Sequence, residues 1–502
     1  MKLLLKGFVC SENFTTVNRR AVLIDGERIA AVENDICGSC AADKIIKFKD
    51  EIIAPGFIDA HGHSDISALA APECFTKISQ GITTEICGNC GLSAFPLTDD
   101  NYDHLTELYS NYQIKINWHD YNSYQTEISR ISPEMQLFSL TGHNSLRAAV
   151  AGYETRELSG AQIEIMRNLL AAQFKAGSPG LSSGLLYVPG IFATPDELLA
   201  LMKTAAAYNK VYTTHLRSEG EKLLESLEET LQLAQRANLK KVLISHLKTA
   251  GNSNFHKLSS VLELIRHYRA TGMDVRFDRY PYIESQTMLS VALGEKYSHY
   301  GDRELMSLLK NSEERAAAVA HLHNIRDEKY WQTRRLAGTT HPEYRKFQGE
   351  FFAAIPADPT QCVVEILSRY AETSMIAAAN MSEENMLQII SAPEALFGSD
   401  GNALPPDERF GRPHPRSSGS AAKFARLLLD RNVPLGEVCW KLAGAAADFF
   451  NLKDRGTIAS GKYADITVFS PEDINSDADF RDPFKTATGI RFLSSCGRPH
   501  YF

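Results

Sequence analysis

The sequence predicts an α/β protein: a TIM-like (β/α)8 barrel, a small β-sandwich domain built from both chain ends, and an insertion between the seventh and eighth strands. Three observations predict it. The middle of the chain alternates short apolar runs with helical stretches, which is the pattern of βα units and a parallel sheet. Both ends instead carry short β-type runs broken by turn signals. Late in the chain, roughly a hundred residues rich in charge interrupt the alternation. The expected domains are residues 1–53, 54–450 and 451–502, the first and last forming the β domain and the insertion lying at about 290–376.

The elements follow in order. Leu3-Leu4-Leu5, Ala21-Val22-Leu23-Ile24 and Arg28-Ile29-Ala30-Ala31-Val32 read as strands, with Asp25-Gly26 as a hairpin turn between the last two. Ala54-Pro55-Gly56-Phe57-Ile58-Asp59-Ala60 reads as a buried strand that ends in His61-Gly62-His63. Further parallel strands are expected at 83–88, 136–140, 180–183, 211–214, 241–245 and 275–278, and Met386-Leu387-Gln388-Ile389-Ile390 makes the eighth. Residues 219–237 carry leucines at helical spacing. Gly456-Thr457-Ile458 and residues 464–469 return to short strands. The insertion has the length of a lid or small helical subdomain over a site, and an embellishment with no chemical role is the other reading.

Composition bounds the function. The chain has 502 residues, 44% hydrophobic and 23% charged, enough for a large core. Its net charge of −8, without a basic block, argues against nucleic-acid and membrane-surface binding. Nine cysteines without a repeating frame suggest reduced thiols and a cytoplasmic setting. Lys6 interrupts the opening apolar residues, so no signal peptide or membrane span is expected there, and no 18-residue apolar run follows.

Chemistry gathers at the expected strand ends, the rim where a parallel barrel carries its active site. His61 and His63, two apart on a strand, present both imidazoles to one side. Taken alone, a His-x-His pair reads equally well as two solvated histidines. The second strand, however, leads to Gly88-Asn89-Cys90-Gly91, the fifth to His215, the sixth to His246, and the eighth to Ser399-Asp400-Gly401. Five endings in sequence, each with a metal-competent side chain, point to a metal site. His143 reads as a supporting histidine and Cys87 as a core thiol.

This pattern resembles the amidohydrolase superfamily, and more narrowly the N-acyl-D-amino-acid deacylases (D-aminoacylases). The resemblance rests on residues 54–63, Gly88-Asn89-Cys90-Gly91, His215-Leu216-Arg217-Ser218-Glu219-Gly220, Ser245-His246-Leu247-Lys248, Tyr280-Pro281-Tyr282, Gly398-Ser399-Asp400-Gly401 and His414-Pro415-Arg416. It implies a tight zinc on Cys90, His215 and His246, and a second, weaker divalent site on His61, His63 and Asp400. It also implies that Asp400 is general base and then general acid. Lys248, Tyr280 and Arg416 would receive the carboxylate of a small amide substrate. Much of the superfamily bridges its metals with a carboxylated lysine, but the lysines between His63 and His215, Lys77 among them, fall outside the expected strand ends. The expected reaction is hydrolysis of an N-acyl-D-amino acid to a D-amino acid and a carboxylic acid. A cyclic-amide hydrolase of the hydantoinase or dihydroorotase kind, a deacylase of a larger conjugate and a non-catalytic barrel scaffold are the alternatives. Glu284 stands where the family usually carries small residues, which bears on the substrate. Oligomeric state is left open.

Overall fold

The computed structural model describes residues 2–34, 42–153, 157–297 and 300–502. Four strands lead in: β1 (Lys2–Cys10), β2 (Val17–Asp25), β3 (Arg28–Glu33) and β4 (Lys44–Pro55). A parallel series follows: β5 (Phe57–Asp59), β6 (Ile82–Cys87), β7 (Gln136–Ser139) with its continuation β8 (Thr141–Gly142), β9 (Gly180–Gly184), β10 (Val211–His215), β11 (Lys241–Ile244) and β12 (Asp274–Arg279). The insertion carries β13 (Glu284–Met288), β14 (Arg334–Gly338) and β15 (Met375–Ala379). The parallel series resumes with β16 (Ala395–Phe397), and β17 (Ile466–Phe469), β18 (Ile490–Ser495) and β19 (Arg498–Tyr501) close the chain.

The parallel strands form two sheets, β5-β6-β7 and β16-β12-β11-β10-β9-β8. Only Leu140 separates β7 from β8, so the sheets are continuous there. At the opposite edges Ala60 N donates to Phe397 O at 3.0 Å, and Gly62 bridges Gly401 in parallel. One apolar cluster joins Ile58, Ile86, Leu140, Val211, Leu243 and Leu396, drawn from strands all along the series, to the helix Ala445–Phe449. Helices on the outside bury the other faces; Leu223–Arg236 turns Leu223, Leu227, Leu231 and Ala234 inward at helical spacing.

Three expectations are corrected. Residues 386–390 lie in the helix Glu383–Ser391, and the strand comes later, at β16. Met386, Ile389 and Ile390 bury one helical face, and the Ser382 side chain accepts from Asn385 N to cap the helix. Period three to four, rather than two, governs this apolar run. The chain ends form one seven-stranded sheet, β19-β18-β17-β4-β1-β2-β3, rather than a sandwich of two. Its β1–β4 pair is parallel, because the two are joined through the β2–β3 hairpin instead of a tight turn. The sheet curls until Arg28 bridges Tyr463, which lets a single sheet enclose Leu5, Val22, Ile53, Ile466 and Phe492. No strand forms at 456–458, although Ile458 joins that core. The insertion has its own sheet, β13-β15-β14, and its own apolar cluster around Leu305, Leu322, Trp331 and Val363.

Candidate metal centre

The six expected metal-competent residues converge. His61 and His63 follow β5, Cys90 follows β6, His215 ends β10, His246 follows β11 and Asp400 follows β16. Their donor atoms form two groups, His61/His63/Cys90/Asp400 and Cys90/His215/His246, each with all atoms within 4.8 Å of one another. Cys90 Sγ lies 3.3 Å from His246 Nε2, 3.7 Å from His215 Nδ1 and 3.4 Å from His61 Nε2. Tetrahedral zinc, with Zn–S near 2.3 Å and Zn–N near 2.0–2.1 Å, requires sulfur-to-nitrogen edges of about 3.5 Å. The edges from Cys90 to His246 and His215 have that size. Asp400 Oδ1 lies 3.0 Å from His63 Nε2 and 3.6 Å from His61 Nε2.

Local backbone makes this convergence possible. Cys90 (φ 51°), His246 (φ 36°) and Asp400 (φ 51°) all adopt the left-handed conformation, which non-glycine residues rarely take. Each turns its side chain off the strand path and into the shared space. Gly62 is required by close approach: a Cβ there would stand 2.1 Å from the Glu85 carboxyl carbon.

Four acids and a lysine that the sequence reading did not single out hold the donors from behind. Glu219 Oε1 is 3.0 Å from His246 Nδ1, and its Oε2 is 3.6 Å from His215 Nε2. One carboxylate therefore faces the outward nitrogens of both imidazoles whose other nitrogens face Cys90. Asp278 Oδ2 is 3.1 Å from His61 Nδ1, and its Oδ1 accepts from His246 N at 2.9 Å. Lys77 is fully buried, donating to Asp59 (2.7 Å), Ser399 Oγ (2.7 Å) and Gly401 O (3.0 Å), and pairing with Glu85 at 2.8 Å. Asp59 also accepts from His61 N and Ser399 N. This network ties the end of β5 to the end of β16. The one available signal was position: Asp59 and Asp278 each lie within two residues of a strand end, and Glu219 closes the His215 segment.

The charges are mutually arranged. Burial opposes ionisation of Cys90, yet His61 and His246 beside it hold the thiol well below its ordinary range. Burial likewise opposes the Asp400 carboxylate, and Arg416 and His246 hold it well below the usual range. His246 is pushed up to about 9: burial and Lys248 work against its charge, and Cys90, Asp400 and Glu219 outweigh them. His63 also reaches about 9, its hydrogen bond to Asp400 overcoming burial. A preformed thiolate facing imidazoles is a donor set for which a divalent metal competes with protons.

Lys248, Tyr280 and Arg416 also come together. The buried Tyr280 ring has Lys248 Nζ at 6.0 Å and Arg416 Cζ at 4.8 Å from its centroid. Lys248 is engaged by Glu219 Oε1 at 2.7 Å, and Arg416 Nη1 by Asp400 Oδ2 at 2.9 Å. His143 stands apart from the donors, paired with Glu197 at 2.8 Å, and Cys87 is buried in an apolar cluster. Glu284 pairs with Arg335 of β14 at 2.9 Å.

A family model described as amidohydrolase matches residues 44–487. The chain belongs to the amidohydrolase family. It is 30% identical over 506 residues to the D-aminoacylase of Alcaligenes xylosoxydans xylosoxydans, a match covering 99% of this amidohydrolase and 94% of that protein. A solved D-aminoacylase with a binuclear metal centre superposes with a TM-score of 0.80 at 28% identity, over 99% and 96% of the two chains. The N-acyl-D-glutamate deacylase of Bordetella bronchiseptica, solved with zinc and a phosphonate inhibitor, gives 0.82 at 26% identity over the same shares. Among the described residues, no helix is long and apolar enough to cross a membrane.

Proposed function

We propose that this amidohydrolase is a zinc-dependent enzyme that hydrolyses a linear amide, an N-acyl-D-amino acid, to the D-amino acid and a carboxylic acid. The observation that carries the reading is the Cys90–His215–His246 triangle, sized for zinc and flanked by Asp400. Its near full-length similarity to a D-aminoacylase supports the substrate class. Cys90, His215 and His246 would hold the tight ion, and His61, His63 and Asp400 a weaker one. An ion held there would supply Lewis acidity for the amide carbonyl and for the attacking water.

The chain's own residues do the rest. Asp400 takes the proton from the water and returns it to the departing amine. Lys248, Tyr280 and Arg416 hold the substrate carboxylate. A carboxylate that draws Arg416 away from Asp400 raises the proton affinity of Asp400 as the substrate docks.

The wider architecture belongs to the same reading. The continuity of β7 with β8, the Ala60–Phe397 contact and the interior cluster support a closed (β/α)8 barrel. The terminal sheet's cluster around Leu5, Val22 and Ile466 and the insertion's own cluster support division into 1–53, 54–450 and 451–502, with the insertion at about 290–376, while a further cluster packs Cys10, Ile52 and Phe469 of the terminal sheet on Phe57 and Ile82. A cytoplasmic setting is supported by the free thiols of the described cysteines.

The test is release of free amine by the zinc-loaded protein from N-acetyl and N-formyl amino acids, each supplied as D and L forms. Turnover of the D forms alone is expected. Equal turnover of L forms would remove the stereochemical assignment, and no turnover of either would remove the linear N-acyl amino acid as substrate.

A further inference from the structure

Three cations gather on one aromatic ring beside the metal donors. Arg279 Cζ lies 4.2 Å from the centroid of Tyr280, Arg416 Cζ 4.8 Å and Lys248 Nζ 6.0 Å. Two of the three have an acid at hand, Lys248 in Glu219 and Arg416 in Asp400. Arg279 has none among the described residues. It is only 1% exposed. Its Nη2 donates to Tyr282 O at 2.7 Å and faces Met381 Sδ at 3.1 Å, while Nε and Nη1 meet no hydrogen-bond partner. The buried Tyr280 hydroxyl is unpartnered as well.

The surroundings offer no relief. Tyr280, Tyr282 and Met381 pack together as a small apolar cluster. A guanidinium withdrawn from water into such a setting is costly unless an anion meets it. Its free nitrogens form a planar fork suited to a carboxylate. The acid that follows in sequence, Glu284, is turned to Arg335 in the insertion and does not fill this role. Strand alternation turns Arg279 to the opposite side from Asp278, whose carboxylate contacts His61 and His246. Arg279 is thus separate from the donor shell, whereas Lys248 and Arg416 touch it directly through His246 and Asp400.

From this we propose that Arg279, whose Cζ lies 4.2 Å from the Tyr280 ring centroid and whose Nε and Nη1 are free, forms a subsite for a second carboxylate on the substrate. The favoured substrates are then N-acyl-D-amino acids with an acidic side chain. The proposal rests on the N-acyl-D-amino-acid reading given above.

The experiment compares kcat/KM for N-acetyl-D-glutamate with that for its neutral isostere N-acetyl-D-glutamine, in the zinc-loaded wild type and in Arg279→Met. The wild type should favour the glutamate by at least about tenfold, because a site built around a buried donor rejects the analogue that leaves it unpaired. Arg279→Met should bring that ratio down about 100-fold, the worth of a charge-assisted bond to a desolvated carboxylate. Arg279→Lys, which keeps the charge, should restore part of the preference. A wild-type ratio of one or less, or equal losses for both substrates in Arg279→Met, overturns the subsite. If Arg279→Met fails to fold or to hold zinc, the wild-type ratio and Arg279→Lys decide. Turnover of neutral D conjugates without preference for the acidic one defeats this proposal alone, whereas release from no D conjugate at all defeats the underlying reading.

Discussion

Glu219 stands behind two of the candidate metal donors. A single half-buried carboxylate faces the outer nitrogens of His215 and His246 and also engages Lys248. It sets which nitrogen of each ring points at Cys90, so its effect is on ring orientation and basicity. Glu219→Gln should weaken zinc binding about 10- to 100-fold, measured by competition with a chromophoric chelator. Unchanged affinity would show that packing alone orients the rings. Asp400 is different in kind, since its carboxylate pairs with His61, His63 and Arg416. Asp400→Asn should keep the tight zinc while turnover falls about 10²- to 10⁴-fold. Stopped-flow or discontinuous amine assays at matched zinc content would test this, and near-normal turnover would remove Asp400 from proton transfer.

Among the elements, the helical stretch after β16 bears most directly on stability. The segment Leu435–Cys439, Trp440–Gly444 and Ala445–Phe449 contains a π-helical turn and packs against β5 and β16. It buries Lys441, whose ammonium has the Ala392 carbonyl as acceptor. Burial pushes Lys441 down to about 8. The unfolded chain, with an ordinary lysine near 10.4, keeps its proton through the interval above pH 8 where the folded chain has lost it. Stability therefore rises with pH across roughly 8 to 10.4 on account of this group, and below pH 8 its burial costs on the order of 3 kcal/mol. Lys441→Met should be the more stable protein at pH 7, with its advantage shrinking towards pH 10. Urea unfolding at pH 7, 8.5 and 10 would test this, and parallel pH profiles for the two proteins would refute it.

At the scale of the molecule, the donors come from five separate strand ends spread between positions 61 and 400. A metal there fastens segments that the chain itself leaves distant, and it binds only the folded arrangement. Chelation should lower the melting temperature, and zinc at about 1,000 times its Kd should restore about 4 kcal/mol. Magnesium should not substitute, because thiolate and imidazole donors suit zinc and not a hard oxygen-seeking ion. Scanning fluorimetry of apo, zinc-loaded and magnesium-loaded protein distinguishes these cases; identical melting temperatures would mean that no metal bridges the strand ends.

The donors were legible along the chain because ligand chemistry is a property of side-chain type, and strand ends are marked by where apolar runs stop. His61, His63, Cys90, His215 and His246 stand out as a set rather than singly, and Asp400 is reached through the family resemblance, because the strand expected before it is a helix. The run at 386–390 could not be assigned in the same way, since a short apolar segment suits a buried strand and a half-buried helix alike until its partners are known. The curl of the terminal sheet likewise depends on Arg28 meeting Tyr463, residues far apart in the chain. Lys77 looked like an ordinary helix lysine and proved to be the fully buried centre of an Asp59–Glu85–Ser399 network. Arg279 carries no local mark either. Whether a charge is solvated, paired or stranded is decided by which distant groups surround it once water is excluded, and only the folded arrangement determines that.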